Sequence, residues 1–218
     1  MKLKKIASLA LAGIMAVSML AGCKDGGNSN SGSSSENTNT ASGYSAMLGQ
    51  KAAETLSKKD LDEVFTFADD SDDQNALKKI IVNNVVETDV EKLVKGITVS
   101  GTWNTAVNGI DSAFRTEIKA DDYIANMNAS SSQNTKTFAN VWVANGEISM
   151  DTVMDKVFGD VKSYFENARK TDNSMTPAVN YSYDVSVSVE NKPVKYDTTK
   201  SGSVNFIAVT VTRTAEVA

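Results

Sequence analysis

One cysteine, no histidine and a scatter of carboxylates are the reactive side chains that this 218-residue chain offers. Without an imidazole there is no Ser-His-Asp or Cys-His nucleophile system, no His-ligated zinc and no histidine general base. Cys23 stands alone, so a thiolate metal site and an intramolecular disulfide are both out of reach. No phosphate-cradling glycine motif, nucleophile elbow or Ser-x-x-Lys spacing occurs, and Ser57-Lys58-Lys59 has the wrong interval. What remains is a pair of carboxylates working as acid and base, for which Glu117, Asp121, Asp122 and Glu147 are candidates. Among 27 acidic residues, solvated surface or helix capping is the ordinary duty of each. No catalytic residue, cofactor or metal site is therefore expected.

The acidic run Asp69-Asp70-Ser71-Asp72-Asp73 has the alternation of a calcium loop. Counted from Asp69, however, the sixth position is Gln74 where the loop needs glycine, and the twelfth is Ile80 where it needs glutamate. Counted from Asp70, those positions are Asn75 and Ile81. The run reads instead as a cap on the following helix, its charges complementing the helix N-terminal dipole.

Cys23 has a more specific setting. Lys2, Lys4 and Lys5 precede an uncharged apolar run, Ile6 to Leu20, which is shorter than the roughly 20 residues of a membrane-spanning helix. The run ends in Leu20-Ala21-Gly22-Cys23, which resembles the lipobox of bacterial lipoproteins. The resemblance implies cleavage after residue 22, a diacylglycerol on the Cys23 thiol and acylation of the new amino terminus. It places the protein on the outer face of a bacterial cell membrane, or at the outer membrane where the cell has two. Two acyl chains hold a protein stably on a bilayer where one does not.

Behind the cysteine, residues 23–43 carry Ser, Asn and Gly with no large apolar side chain, so they cannot bury enough surface to offset ordering. About 20 such residues reach roughly 25 Å. Loss of Lys2, Lys4 and Lys5 from the 22 basic residues leaves 19 against 27 acidic ones, a formal charge of about -8. That balance argues against nucleic acid as a partner and against an electrostatic grip on anionic lipid. Membrane attachment is left to the lipid.

Residues 44–218 then form one expected α+β domain. Apolar spacing predicts helices over Tyr44 to Ala68, with a break near Ser57 and Asp60, then Asp72 to Val86, a short one over Val90 to Val94, and a long amphipathic one from Ser149 to Lys170. Ile97 to Trp103 and Phe114 to Ile118 alternate and predict a hairpin turning at Asn108-Gly109. A helical piece from Asp121 to Met127, a loop to Thr137 and a strand over Phe138 to Ala144 follow. Tyr181 to Glu190 alternates apolar with polar, while Val204 to Thr212 is apolar on both faces, predicting a C-terminal antiparallel hairpin with its second strand inside the sheet. Trp103 and Trp142 are expected in the core.

The run from Ala53 to Ala68 followed by a second helix and strands resembles the opening of nuclear-transport-factor-like or cystatin-like domains, although the long helix from Ser149 departs from that element order. Such folds carry enzymes and binding modules alike. The expected function is a lipid-anchored extracytoplasmic lipoprotein whose domain is a non-catalytic module binding an envelope protein or ligand. The alternatives are a cell-envelope hydrolase using paired carboxylates and a small solute-capture lipoprotein.

Overall fold

The last strand of the chain organises the rest. In Val204 to Val211 both side-chain faces are apolar apart from Asn205 and Thr210, and all eight residues are buried. A strand with no wet face needs cover above, below and on both sides. The computed structural model, which describes residues 43–57, 61, 63–85, 96–102, 109–129, 131–195 and 201–218, puts it at the centre of a six-stranded sheet.

In chain order the elements are α1 (Tyr44–Ala53), β1 (Phe65–Phe67), α2 (Ser71–Asn84), β2 (Ile97–Val99), α3 (Ile110–Glu117), β3 (Lys136–Asn145), α4 (Met150–Glu166), β4 (Thr171–Asp172), β5 (Val179–Lys195) and β6 (Ser201–Val217). The sheet order is β1-β5-β6-β3-β2, with β4 also on β5. Only β1 runs parallel to its neighbour. The α+β class, the long amphipathic helix and the C-terminal hairpin agree with the sequence. The hairpin register runs from Val179 opposite Val217 to Lys195 opposite Ser201.

Alternation along β6 splits the core in two. Ile207, Val209 and Val211 pack with α1 and α4, where Leu48, Val157, Phe158 and Phe165 are buried. Val204, Phe206 and Ala208 pack on the other face beneath α2 and α3, with Leu77, Ile81, Ile110 and Phe114. Helix α4 is capped by Ser149, whose hydroxyl accepts from the Thr152 N–H at 3.3 Å. It is tied to α1 by Lys51, whose ammonium lies 2.7 Å from Asp151 and 2.9 Å from Asp155. Those two hydrogen-bonded carboxylates raise the lysine above its ordinary pKa.

Three local readings are corrected. Phe114 to Ile118 is helical: Ile110, Phe114 and Ile118 recur every fourth residue, and a period of two cannot be told from a helix over so short a run. Its supposed partner, β2, pairs with β3 instead, Val99 opposite Trp142. Phe65–Phe67 is a strand beside β5 because its aromatic rings are needed there: Phe65 stacks on Phe165 and Tyr183, with centroids at 5.0 and 5.2 Å. Helix α4 ends at Glu166, so Arg169 and Lys170 do not serve its terminus. The Lys170 carbonyl instead accepts the Tyr181 N–H at 2.8 Å.

Trp142 is in the core, with its indole N–H donated to Asp160 at 3.0 Å. The wet face expected along Tyr181 to Glu190 is wet only as far as Asp184, because α2 covers Ser186 and Ser188. Cys23, the tether, Asp60, the Val90 to Val94 segment and Trp103 lie outside the described residues.

Candidate functional site

The fold sets Glu147 at the opposite end of β3 from Asp121 and Asp122. Asp121 and Asp122 lie against the outer edge of β3 where β2 no longer covers it. There the Thr137 N–H donates to the Asp121 carboxylate at 2.9 Å, and the Ala139 N–H donates to the Asp122 carbonyl at 3.0 Å. Lys136 donates to Asp121 at 2.6 Å. Burial alone would raise the Asp121 carboxyl, but the Lys136 and Thr137 hydrogen bonds and the charges of Lys136 and Arg213 hold it below its usual value. Glu147 is exposed in the turn at the other end of β3. Asp122 bridges to Phe138, and Glu147 follows Asn145, so they sit about 23 Å apart at 3.3 Å per residue. Carboxylates hydrolysing a glycoside need separations nearer 5 to 10 Å.

Glu117 borders a groove of about 400 Å³ between α2 and the end of α3, shared with Asp72, Asp73, Asn75, Lys79 and Lys119. Lys79 donates to Glu117 at 2.7 Å. Lys119 closes α3 in the left-handed region at φ 58°, the position that glycine usually takes in a Schellman ending. The bonds of that motif are present, from the Ala120 N–H to the Arg115 carbonyl at 2.8 Å and from the Lys119 N–H to the Thr116 carbonyl at 3.3 Å.

The acidic run caps α2 as expected: Asp70 accepts from the Asp72 and Asp73 N–H groups at 2.8 and 3.2 Å. Asp69 also accepts from the Ser45 N–H in the first turn of α1, at 3.4 Å. Asp73 turns inward and accepts a hydrogen bond from the Ser186 hydroxyl on β5. Burial pushes its carboxyl up, while the Ser186 hydroxyl opposes that rise. Among the described residues no three acidic side chains gather where they could hold a metal ion.

Structural acids that the sequence reading passed over include Asp111 and Asp172. Asp111, 3 % exposed, accepts the Val141 N–H at 2.6 Å, the next outward amide of β3 beyond β2. Burial raises its pKa against the pull of that N–H. Asp172 accepts from the Ser131 and Ser174 hydroxyls, from the Ser174 N–H at 3.0 Å and from Arg169 at 3.1 Å. These bonds, the Ser131 hydroxyl first, bring its carboxyl down to about 2.

Arg213 is the other residue passed over, and it is wholly buried. Its position was legible: Ile207, Val209 and Val211 face inward, and the same alternation carries residue 213 to that face. Nη1 donates to the Met127 carbonyl at 2.7 Å. The rings of Tyr181 and Phe138 flank the guanidinium, with centroids 4.6 and 5.6 Å from its carbon. Burial pushes the Tyr183 hydroxyl nearby up to about 12 despite the opposing charge of Arg213. Nε and Nη2 have no hydrogen-bond partner among the described residues. The chain matches no protein-family model, no curated protein and no solved structure.

Proposed function

We propose that this is a lipid-anchored extracytoplasmic lipoprotein whose folded domain is a non-catalytic binding module, held on the outer face of a bacterial cell membrane through Cys23. The observation that carries the anchor is Leu20-Ala21-Gly22-Cys23 closing an apolar run behind three lysines. No helix among the described residues is long and apolar enough to cross a membrane, so in this reading the lipid does the holding.

The binding role is supported by how the buried carboxylates are used. Asp73, Asp111 and Asp172 each accept hydrogen bonds from neighbouring strands, turns or hydroxyls, which fixes them as parts of the scaffold. Groups needed for proton transfer must instead face a substrate within hydrogen-bond reach. Among the described residues, the polar groove beside Glu117 and the unpaired, buried edge of Arg213 are places that a ligand could use.

The test is metabolic labelling with an alkyne-tagged fatty acid in a bacterial host, comparing the full chain with Cys23→Ser. Label on the first and none on the second is the expected result. An unlabelled wild-type chain would sink the anchor. Turnover of cell-wall glycan that is abolished by Glu117→Gln would sink the non-catalytic reading.

A further inference from the structure

We propose that Arg213 is the base of a binding site for a small planar carboxylate, which its Nε–Nη2 edge receives between the rings of Tyr181 and Phe138. In a guanidinium, Nε–H and one Nη2–H project side by side and match the two oxygens of a carboxylate. These are the two nitrogens without a partner, while Nη1 is already committed to the Met127 carbonyl. One complete bidentate edge is therefore unused, in a place where no part of the residue reaches solvent.

Among the described residues no carboxylate forms an ion pair or hydrogen bond with this cation. Asp121 lies near enough to respond to its charge, but its two oxygens are engaged by Lys136 and by the Thr137 N–H. The flanking rings offset part of the desolvation, yet a buried ion without a counter-ion is costly in any dry site. A water molecule would satisfy the donors and leave the charge. A carboxylate satisfies both.

The register sets the shape of the ligand. Phe138 lies opposite Val211 and Tyr181 opposite Ala215, one pleat on either side of Arg213 along β6. A carboxylate taken bidentately by the Nε–Nη2 edge lies in the guanidinium plane, a flatter arrangement than a tetrahedral phosphate can adopt. Ser132 exchanges hydrogen bonds with the Tyr181 hydroxyl, its N–H donating and its carbonyl accepting, both at 3.1 Å. Ser132 is half-buried and its next three neighbours are exposed. Asn128, one residue beyond the Met127 carbonyl, carries a second buried atom without a partner, Oδ1, able to accept from a ligand hydroxyl or amide.

This inference rests on the binding-module reading and gives it a ligand class. Isotope-labelled full-length protein in detergent, kept in carboxylate-free buffer, is titrated with sodium acetate, inorganic phosphate and sodium chloride at matched ionic strength. The observable is the Arg213 Nε–H resonance, assigned by its absence in Arg213→Lys. Acetate is expected to shift it saturably, phosphate more weakly and chloride not at all. In thermal unfolding, Arg213→Lys, which keeps the charge and loses the edge, should need about tenfold more acetate for the same protection, the loss of roughly one charged hydrogen bond. A resonance that acetate leaves in place, or that chloride moves equally, overturns the proposal. That titration on the wild-type chain decides the matter even where Arg213→Lys fails to fold. The fatty-acid label is read independently, so loss of the carboxylate site and loss of the anchor are separate results.

Discussion

Replacing Asp111 tests whether the edge of β3 is held by an acceptor or by a charge. The carboxylate takes the Val141 N–H at 2.6 Å at the point where β2 has left β3, and the residue is 3 % exposed, so Asp111→Ala strands a buried donor. An orphaned buried N–H costs about 1 to 3 kcal/mol. At the middle of that range, the unfolding midpoint should fall by about 4 to 8 °C for a domain of this size. Asp111→Asn keeps an oxygen at the same place and removes a buried charge, so it should stay within about 0.5 kcal/mol of the wild type at neutral pH, or exceed it.

The pH dependence carries the sign. Burial raises the folded-state pKa of Asp111 above its unfolded value, so between those two values the folded protein binds the proton more tightly. Its contribution to stability is then full below the unfolded pKa and declines as pH climbs through the folded one, by about 1.4 kcal/mol for each unit between them. Asn carries no such proton and flattens that part of the curve, leaving the matching contribution of Asp73. Urea unfolding followed by tryptophan fluorescence from about pH 4 upward measures all three proteins. An Asp111→Ala variant as stable as the wild type, or an Asn variant that falls as far as Ala, would refute the reasoning.

Three further outcomes are expected. Lys119→Gly should raise stability by about 1 kcal/mol, because glycine adopts the left-handed conformation at φ 58° without a Cβ penalty; an unchanged urea midpoint would show that the lysine is unstrained. Gly146→Ala should lose about 1 to 3 kcal/mol, since an added Cβ would lie 2.7 Å from the Ser203 carbonyl oxygen, a strand backbone atom with little room to retreat; wild-type thermal stability would count against that packing. Asp172 is depressed to about 2, so its stabilisation is fully present above the unfolded pKa and is lost below it, as pH falls through about 2. The gap between the wild type and Asp172→Asn should therefore close during acid titration monitored by circular dichroism, and a gap that widens would reverse the assignment.

The sequence by itself determined what depends on neighbours a few residues apart. The stripe through Val153, Val157, Val161 and Phe165 specifies α4, Asp70 specifies the start of α2, and the two-faced Val204 to Val211 specifies a central strand. Each signal repeats over several turns or pleats, so a single residue cannot obscure it. Phe114 to Ile118 lacked that length, and β1 drew its conformation from Phe165 and Tyr183, which are distant in the chain. Only the tertiary structure decided which polar groups would be buried. Asp111 meets an amide 30 residues away and Arg213 a carbonyl 86 residues away, separations that leave no local pattern. Alternation could put Arg213 on the inner face of β6; whether its donors would find partners there was a matter of where the Met127 carbonyl lies. That carbonyl occupies Nη1 and leaves the Nε–Nη2 edge without a partner among the described residues.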